Sequence, residues 1–225
     1  MSEKWQEAER YINNINVIAS SNNDPVTIHG NTDHVKCIGI GTDAAVFQLV
    51  KLPKYAFKIY AKNKTHKIEQ EAEIYQLIGD SQYFTNCFGY TDQWLVLQYE
   101  EGITLYDCLL RGIKIPEQVI KDVDSAREYA RSRGLNPRDI HLKNILLQDG
   151  RAKIFDVSEY LEEGNDYRWE HLKKAYYGYY YLIEGKSVPH FLVETVRKWY
   201  NQQKVNQENI DEFIKSTSKL IKFWQ

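Results

Sequence analysis

Methionine occurs once, at position 1, and proline only five times in 225 residues. So little proline leaves no room for a proline-rich linker. Cysteine is almost as scarce: Cys37, Cys87 and Cys108 stand apart, without CxxC spacing. Neither a disulfide framework nor a zinc site is expected, and the three read as free thiols, buried or half-buried. No apolar run approaches the ~18 residues of a membrane span. Met1 to Gln6 carries charges and a tryptophan where a secretory leader needs an apolar stretch. A cytoplasmic protein with no membrane partner is expected. Charge of one sign is lacking too: 29 Lys and Arg face 31 Asp and Glu, a formal net charge of −2. Without a basic field, nucleic acid is not expected as a partner. Internal repeats and low-complexity tracts are missing as well.

What the chain does have is rings, with 17 Tyr, 8 Phe and 5 Trp, enough to bury a large area on few residues. Its order along the chain is uneven. Trp5, Ala8, Tyr11, Ile12, Ile15 and Ile18 recur at helical spacing and predict an amphipathic helix over residues 3–18, closed by the polar run from Ser20 and by Pro25. Strand signals follow at 26–28, 35–40, 45–50, 55–60, 87–90 and 95–99. One long helical stretch, Lys64 to Ile78, interrupts them. Beyond Gly102 the pattern is helical, from Pro116 to Gly134 and then through most of the last 60 residues. Two short apolar runs bracketing Asp149-Gly150 predict one hairpin in this half.

Three stretches carry candidate chemistry. Ile38-Gly39-Ile40-Gly41-Thr42-Asp43-Ala44-Ala45-Val46 places two glycines between strands, where backbone N–H groups can approach phosphate. A plain hairpin turn is the alternative. No Gly-Lys-Ser/Thr follows, so it is not a Walker loop. In Ala56-Phe57-Lys58, alternation puts Ala56 and Lys58 on one sheet face and Phe57 on the other. A buried lysine there needs a carboxylate. Of Glu69, Glu71 and Glu73, it is Glu71 that shares a helix face with Ile68, Ile74, Tyr75 and Ile78. Third, Arg138-Asp139-Ile140-His141-Leu142-Lys143-Asn144 precedes the hairpin, and Phe155-Asp156-Val157-Ser158 follows it. Asp139, Asn144 and Asp156 would gather oxygen atoms of the kind magnesium takes.

In this order the motifs resemble those of the protein-kinase-like superfamily over residues 36–160. The resemblance implies an α+β, bilobal protein-kinase-like fold with a small β-rich N-lobe and a shortened, helical C-lobe. The N-lobe would cover residues 36–98, the hinge and C-lobe 99–225, and residues 1–35 would pack on the N-lobe as an extension. It further implies ATP and Mg2+ as cofactors. Lys58 would grip the α- and β-phosphates and pair with Glu71. Ile38, Gly39, Gly41, Ala44 and Val46 would cover the nucleotide, and Ala56 and Leu97 would flank the adenine. Backbone groups of Gln98 and Glu100 would bind its edge, although Glu100 and Glu101 could equally be solvated hinge residues. Asp139 would be the base, with Asn144 and Asp156 on the metal.

The departures matter as much. Ala44 replaces the third loop glycine, Pro137 replaces a histidine, and Val157-Ser158 stands where Phe-Gly is usual. No Ala-Pro-Glu follows, and little chain separates Asp156 from the next helix near Asp166. A bistable activation segment has no place to form. His141, two positions past Asp139, is similar to the histidine of aminoglycoside phosphotransferases; it would contact the transferred phosphate or simply pack, and Lys143 would assist or face solvent. The leading expectation is a serine/threonine-type protein kinase, as a monomer or homodimer. A kinase for small-molecule hydroxyls and a nucleotide-binding pseudokinase are the alternatives.

Overall fold

The computed structural model describes residues 4–22, 24–30, 33–202 and 208–224. It is a mixed α/β chain that divides into two compact units, the second beginning at Gly102.

The first unit opens with a 3-10 turn, Lys4–Ala8, and a single helical turn, α1, Glu9–Ile12. The long amphipathic helix expected over 3–18 is therefore not formed, and its first residue lies outside the described residues. Asn13 and Asn14 are poor helix formers, and the chain turns back on an Ile15 N–H to Ile12 carbonyl bond of 2.8 Å. It then enters strand β1, Asn16–Ile18, which pairs with β2, Thr27–His29, in register Val17 to Ile28. Ladder bonds and burial of alternate residues outweigh the helical spacing of Ile12, Ile15 and Ile18, and Ile18 is left exposed.

Five antiparallel strands form the main sheet in the order β3-β4-β5-β7-β6: β3 Val35–Ile40, β4 Ala44–Leu49, β5 Leu52–Tyr60, β6 Cys87–Tyr90 and β7 Trp94–Gln98. Register sorts the side chains by face. Lys58 opposes Val46 on one side and Leu95 on the other, and Ala56 opposes Leu97. Phe47, Phe57, Val96 and Trp94 point the opposite way, into a core completed by Ala8, Ile12, Ile15, Val17 and Val26. So the described residues from Trp5 to Val26 serve as the backing of the sheet. Helix α2, His66–Ile78, covers the other face, where Ile68 and Ala72 pack on Ala44, Tyr60 and Leu95.

Among its described residues the second unit holds a three-stranded sheet, β10-β9-β8, and five α-helices. Strand β8, Ile103–Thr104, runs into α3, Leu105–Arg111; neither was expected. Thr104 Oγ1 caps α3 by accepting the Asp107 N–H at 3.0 Å. Gly112 ends it in the left-handed region, φ 67°, where a Cβ would meet the Ser187 nitrogen at 2.7 Å. Helix α4, Glu117–Ser132, follows Pro116. The hairpin β9, Ile145–Gln148, and β10, Arg151–Ile154, closes through Asp149 and Gly150, both with positive φ. Buried Asp122 of α4 holds this hairpin, accepting Arg151 Nε and an Nη at 2.7 and 2.8 Å and the Ala152 N–H at 3.0 Å. Helices α5, Arg168–Tyr179, α6, His190–Gln202, and α7, Ile210–Trp224, complete the unit. The apolar residues Ile210, Phe213 and Ile214 gather Ala175, Tyr179, Val196 and Tyr200 around them.

Cys108 is buried and Cys87 half-buried, and burial pushes both thiols up to about 11. Cys37 is exposed, contrary to expectation, because its place on edge strand β3 leaves one side open. Among the described residues no helix is long and apolar enough to cross a membrane.

Candidate active site

The candidate residues of the first unit lie on one sheet face. Lys58 is 8% exposed and Glu71 fully buried, and Lys58 Nζ donates to Glu71 Oε1 over 2.8 Å. The Tyr60 hydroxyl donates to the second carboxylate oxygen, and its ring lies 5.4 Å from Lys58 Nζ. Glu69 and Glu73, one turn-phase away on α2, are exposed. Two charges withdrawn from water cost several kcal/mol each by desolvation, which their attraction offsets only in good geometry. An apolar pair would fill this space more cheaply.

Ala56 and Leu97, 6% and 5% exposed, form an apolar floor beside Lys58, and Val46 stands across from it on β4. Gln98, at the end of this floor, has its backbone engaged: its N–H donates to Asn86 O at 2.7 Å and its carbonyl accepts from Thr85 Oγ1 at 3.0 Å. A ligand reaching Gln98 would have to use the carbonyl's second lone pair. Glu100 lies past the end of β7, half-buried.

The glycine segment is a tight turn, with the Gly41 N–H donating to Ala44 O at 2.9 Å. Gly39 pairs with Val46 after a register shift past Ile38. Neither glycine is in the left-handed region; a Cβ on Gly39 would sit 3.6 Å from Val46, and on Gly41 3.3 Å from Ala44 O. Sequence reasoning passed over Asp43, which pins the turn to the start of α2 through Lys67 at 2.6 Å and Lys64 at 3.1 Å. Burial would raise the Asp43 carboxyl, but the hydrogen bonds from Lys67 and Lys64 outweigh it and hold it below the usual range.

In the second unit the loop after α4 brings Asp139, His141 and Asn144 together. Asn144 Nδ2 donates to the Asp139 carbonyl at 3.1 Å, and its backbone N–H to His141 O at 2.9 Å. The Asn144 carbonyl accepts the Phe155 N–H at 3.3 Å, which places Asp156 beside the loop. With the amide nitrogen bonded to Asp139, Asn144 would offer its side-chain oxygen to a metal, and with an Asp156 carboxylate the donor set would be all oxygen. That suits magnesium, which completes its shell with water and phosphate. Among the described residues no cluster of three His, Cys, Asp or Glu is arranged as a metal cage.

Asp139 has φ 52°, in the left-handed region. Its N–H donates to Asp166 Oδ2 at 2.8 Å, and its carboxylate accepts from Arg168 Nη1. Burial pushes its carboxyl up to about 6, with Arg168 opposing and Asp156 and Asp166 adding to the rise. His141 Nε2 is 3.8 Å from Asp139 Oδ2. Burial, reinforced by Arg168, pushes the imidazole down to about 4, so it is neutral near pH 7. Lys143 is drawn aside, 4.4 Å over the Tyr106 ring and 3.9 Å from Glu194 of α6. Asp166 and Arg168 were not singled out in the sequence; an Asp two residues ahead of a helix start was the available signal.

The chain following Asp156 is fastened to the loop. Asn136 N–H donates to Tyr160 O at 2.8 Å, its side-chain amide to the carbonyls of Glu162 and Gly164 at 2.7 Å each, and Arg138 to Glu163 O at 2.5 Å. Helix α5 then begins at Arg168.

These elements, a carboxylate-held lysine on a sheet face and an Asp-Asn-Asp group around a hairpin, are compatible with a kinase-like fold. No protein-family model matches the chain. A Bacillus subtilis protein named "Putative serine/threonine-protein kinase YrzF" is 32% identical over 174 residues, which cover 76% of this chain and 81% of that protein. The chain belongs to the kinase-like family that this Bacillus protein represents.

Proposed function

We propose that the chain is an ATP- and Mg2+-dependent phosphotransferase that acts as a serine/threonine-type protein kinase. The observation that carries this reading is the buried Lys58–Glu71 pair. Packing gives no reason for such a pair, whereas holding an ammonium ready for phosphate oxygens does. In this reading Lys58 binds the α- and β-phosphates of ATP, while Val46, Ala56 and Leu97 flank the adenine. The Gln98 carbonyl and the Glu100 backbone meet its edge.

Asp139 orients the acceptor hydroxyl and takes its proton as the new O–P bond forms and the bond from the γ-phosphorus to the bridging oxygen breaks, releasing ADP. Asn144 and Asp156 are the residues that would hold magnesium. The metal, when bound, neutralises charge developing on the phosphates, so the protein supplies chiefly positioning and electrostatics. His141, uncharged near neutral pH, would accept or donate a hydrogen bond there and bring no positive charge.

One observation favours a second reading, transfer to the hydroxyl of a small molecule. The chain from Tyr160 to Gly164 is bonded to Asn136 and Arg138, and α5 follows at once, so the surface on which kinases seat a peptide is short. Incubation with ATP labelled at the γ-phosphate, first alone and then with lysate divided into protein and small-molecule fractions, separates the two. Label on the chain or on lysate proteins supports the leading reading, and label confined to metabolites supports the second. Absence of transfer to any fraction, with Asp139→Asn indistinguishable from wild type, overturns both.

A further inference from the structure

Arg168 at the start of α5 and Asp166 just ahead of it grip Asp139 at two places. Asp166, just ahead of the helix, accepts the Asp139 N–H on Oδ2 at 2.8 Å and the Arg168 N–H on Oδ1 at 3.1 Å. Arg168, the first helical residue, donates from Nη1 to Asp139 Oδ1, and its Nε lies 3.6 Å from Asp166 Oδ2. One residue thus holds the main chain of Asp139 and the other its carboxylate. The left-handed backbone of Asp139, φ 52°, is uncommon outside glycine and is held here by the hydrogen bond of its N–H to Asp166.

Other cations near this carboxylate are engaged elsewhere. Arg138 donates to Glu163 O at 2.5 Å and lies 3.3 Å from Glu159. Lys143 rests on Tyr106 beside Glu194. Among the described residues Arg168 is the cation seated on Asp139, at Oδ1, while Oδ2 has His141 Nε2 at 3.8 Å.

We propose that Arg168 is a positioning residue for phosphoryl transfer: by holding Asp139 Oδ1 it fixes the carboxylate so that Oδ2 is the oxygen that takes the acceptor's proton. The inference rests on the reading of Asp139 as the base. Its chemistry is that of the transfer already described, and Arg168 itself gains and loses no bond to the substrate. A planar guanidinium, anchored at its other edge by Asp166, fixes a carboxylate's orientation as an ammonium does not. Misplacing a reacting group by ~1 Å can cost about 10²-fold in rate.

The test compares wild type, Arg168→Ala and Arg168→Lys in the full chain, using γ-labelled ATP with magnesium, and reads kcat and KM for ATP separately. Arg168→Ala is expected to lose ~10–10²-fold in kcat with KM for ATP changed less than about twofold. Millimolar guanidinium should restore part of the loss, and sodium chloride at equal ionic strength should not. Arg168→Lys should fall between the two, which keeps the test open if the alanine variant does not fold. A wild-type rate in Arg168→Ala, a loss carried by KM for ATP, or equal rescue by salt overturns the inference.

A second readout needs no turnover, the Asp139 amide and carboxyl resonances of isotopically labelled protein. They should shift or broaden in Arg168→Ala and return with guanidinium. If the wild type transfers no phosphate, the function reading falls and these resonances alone decide the placement; unchanged resonances in Arg168→Ala overturn it.

Discussion

The side-chain amide of Asn144 donates to the backbone carbonyl of Asp139, five residues back, across 3.1 Å. That bond orients one candidate metal ligand and braces the candidate base together. Asn144→Ala removes both services. Its magnesium requirement, read from transfer rate against metal concentration, is expected to rise at least ~10-fold, with kcat lower even at saturating metal. An unchanged metal requirement would remove Asn144 from the site.

Asp139→Asn keeps the shape of the side chain and removes its basicity. Turnover of labelled ATP should fall by ~10²–10⁴-fold while ATP binding by calorimetry is retained. Asp156→Ala should instead lose magnesium-dependent nucleotide binding and turnover together. If the two variants behaved alike in binding, the division of roles would be wrong.

The Lys58–Glu71 pair separates stability from activity. Glu71→Gln takes the Glu71 charge away from a buried ammonium and should cost up to about 3–5 kcal/mol in urea unfolding. Replacing both partners, Lys58→Met with Glu71→Leu, should return stability to within ~1 kcal/mol of wild type, less the Tyr60 hydroxyl's bond, yet leave no phosphate transfer. A double variant that still turned over ATP would refute the role given to Lys58.

Asp122 supplies a pH dependence of fold rather than of activity. Its burial alone would raise the carboxyl, but bonds from Arg151, Gln118 and the Ala152 N–H outweigh that and hold it below the ordinary value. A depressed carboxylate contributes stability above its unfolded value, near ~4, and loses it as pH falls through the folded one. Asp122→Asn should therefore be destabilised by ~2 kcal/mol at pH 7, with the gap to wild type closing below pH ~4. Thermal melts across that range read the difference, and a gap independent of pH would contradict it.

How much of this could be read beforehand depended on how local the cause was. Alternation placed Ala56 and Lys58 together, and helical phase turned Glu71 inward, because each follows from a few neighbours. The Asp149-Gly150 hairpin likewise carries its own turn chemistry. The helix expected over 3–18 gave way because its fate was decided by β2 and the back of the sheet, elements that helical spacing does not see. Arg168 was invisible for the same reason. Asp166 marks the helix start beside it but not its partner, which lies 29 positions earlier. Helix α3 was missed although Thr104 and Asp107 spelled out its start, because seven residues are too few for periodicity to speak.

The bonds from Asn136 and Arg138 to the carbonyls of Tyr160, Glu162, Glu163 and Gly164 bear on control. They are made by backbone acceptors, so no side-chain change in that stretch abolishes them, and a phosphate attached there would find no slack to take up. If the chain is the phosphotransferase proposed above, this stretch would not serve it as a throttle. Its output would follow supply, meaning the number of molecules made and the nucleotide and acceptor that reach them.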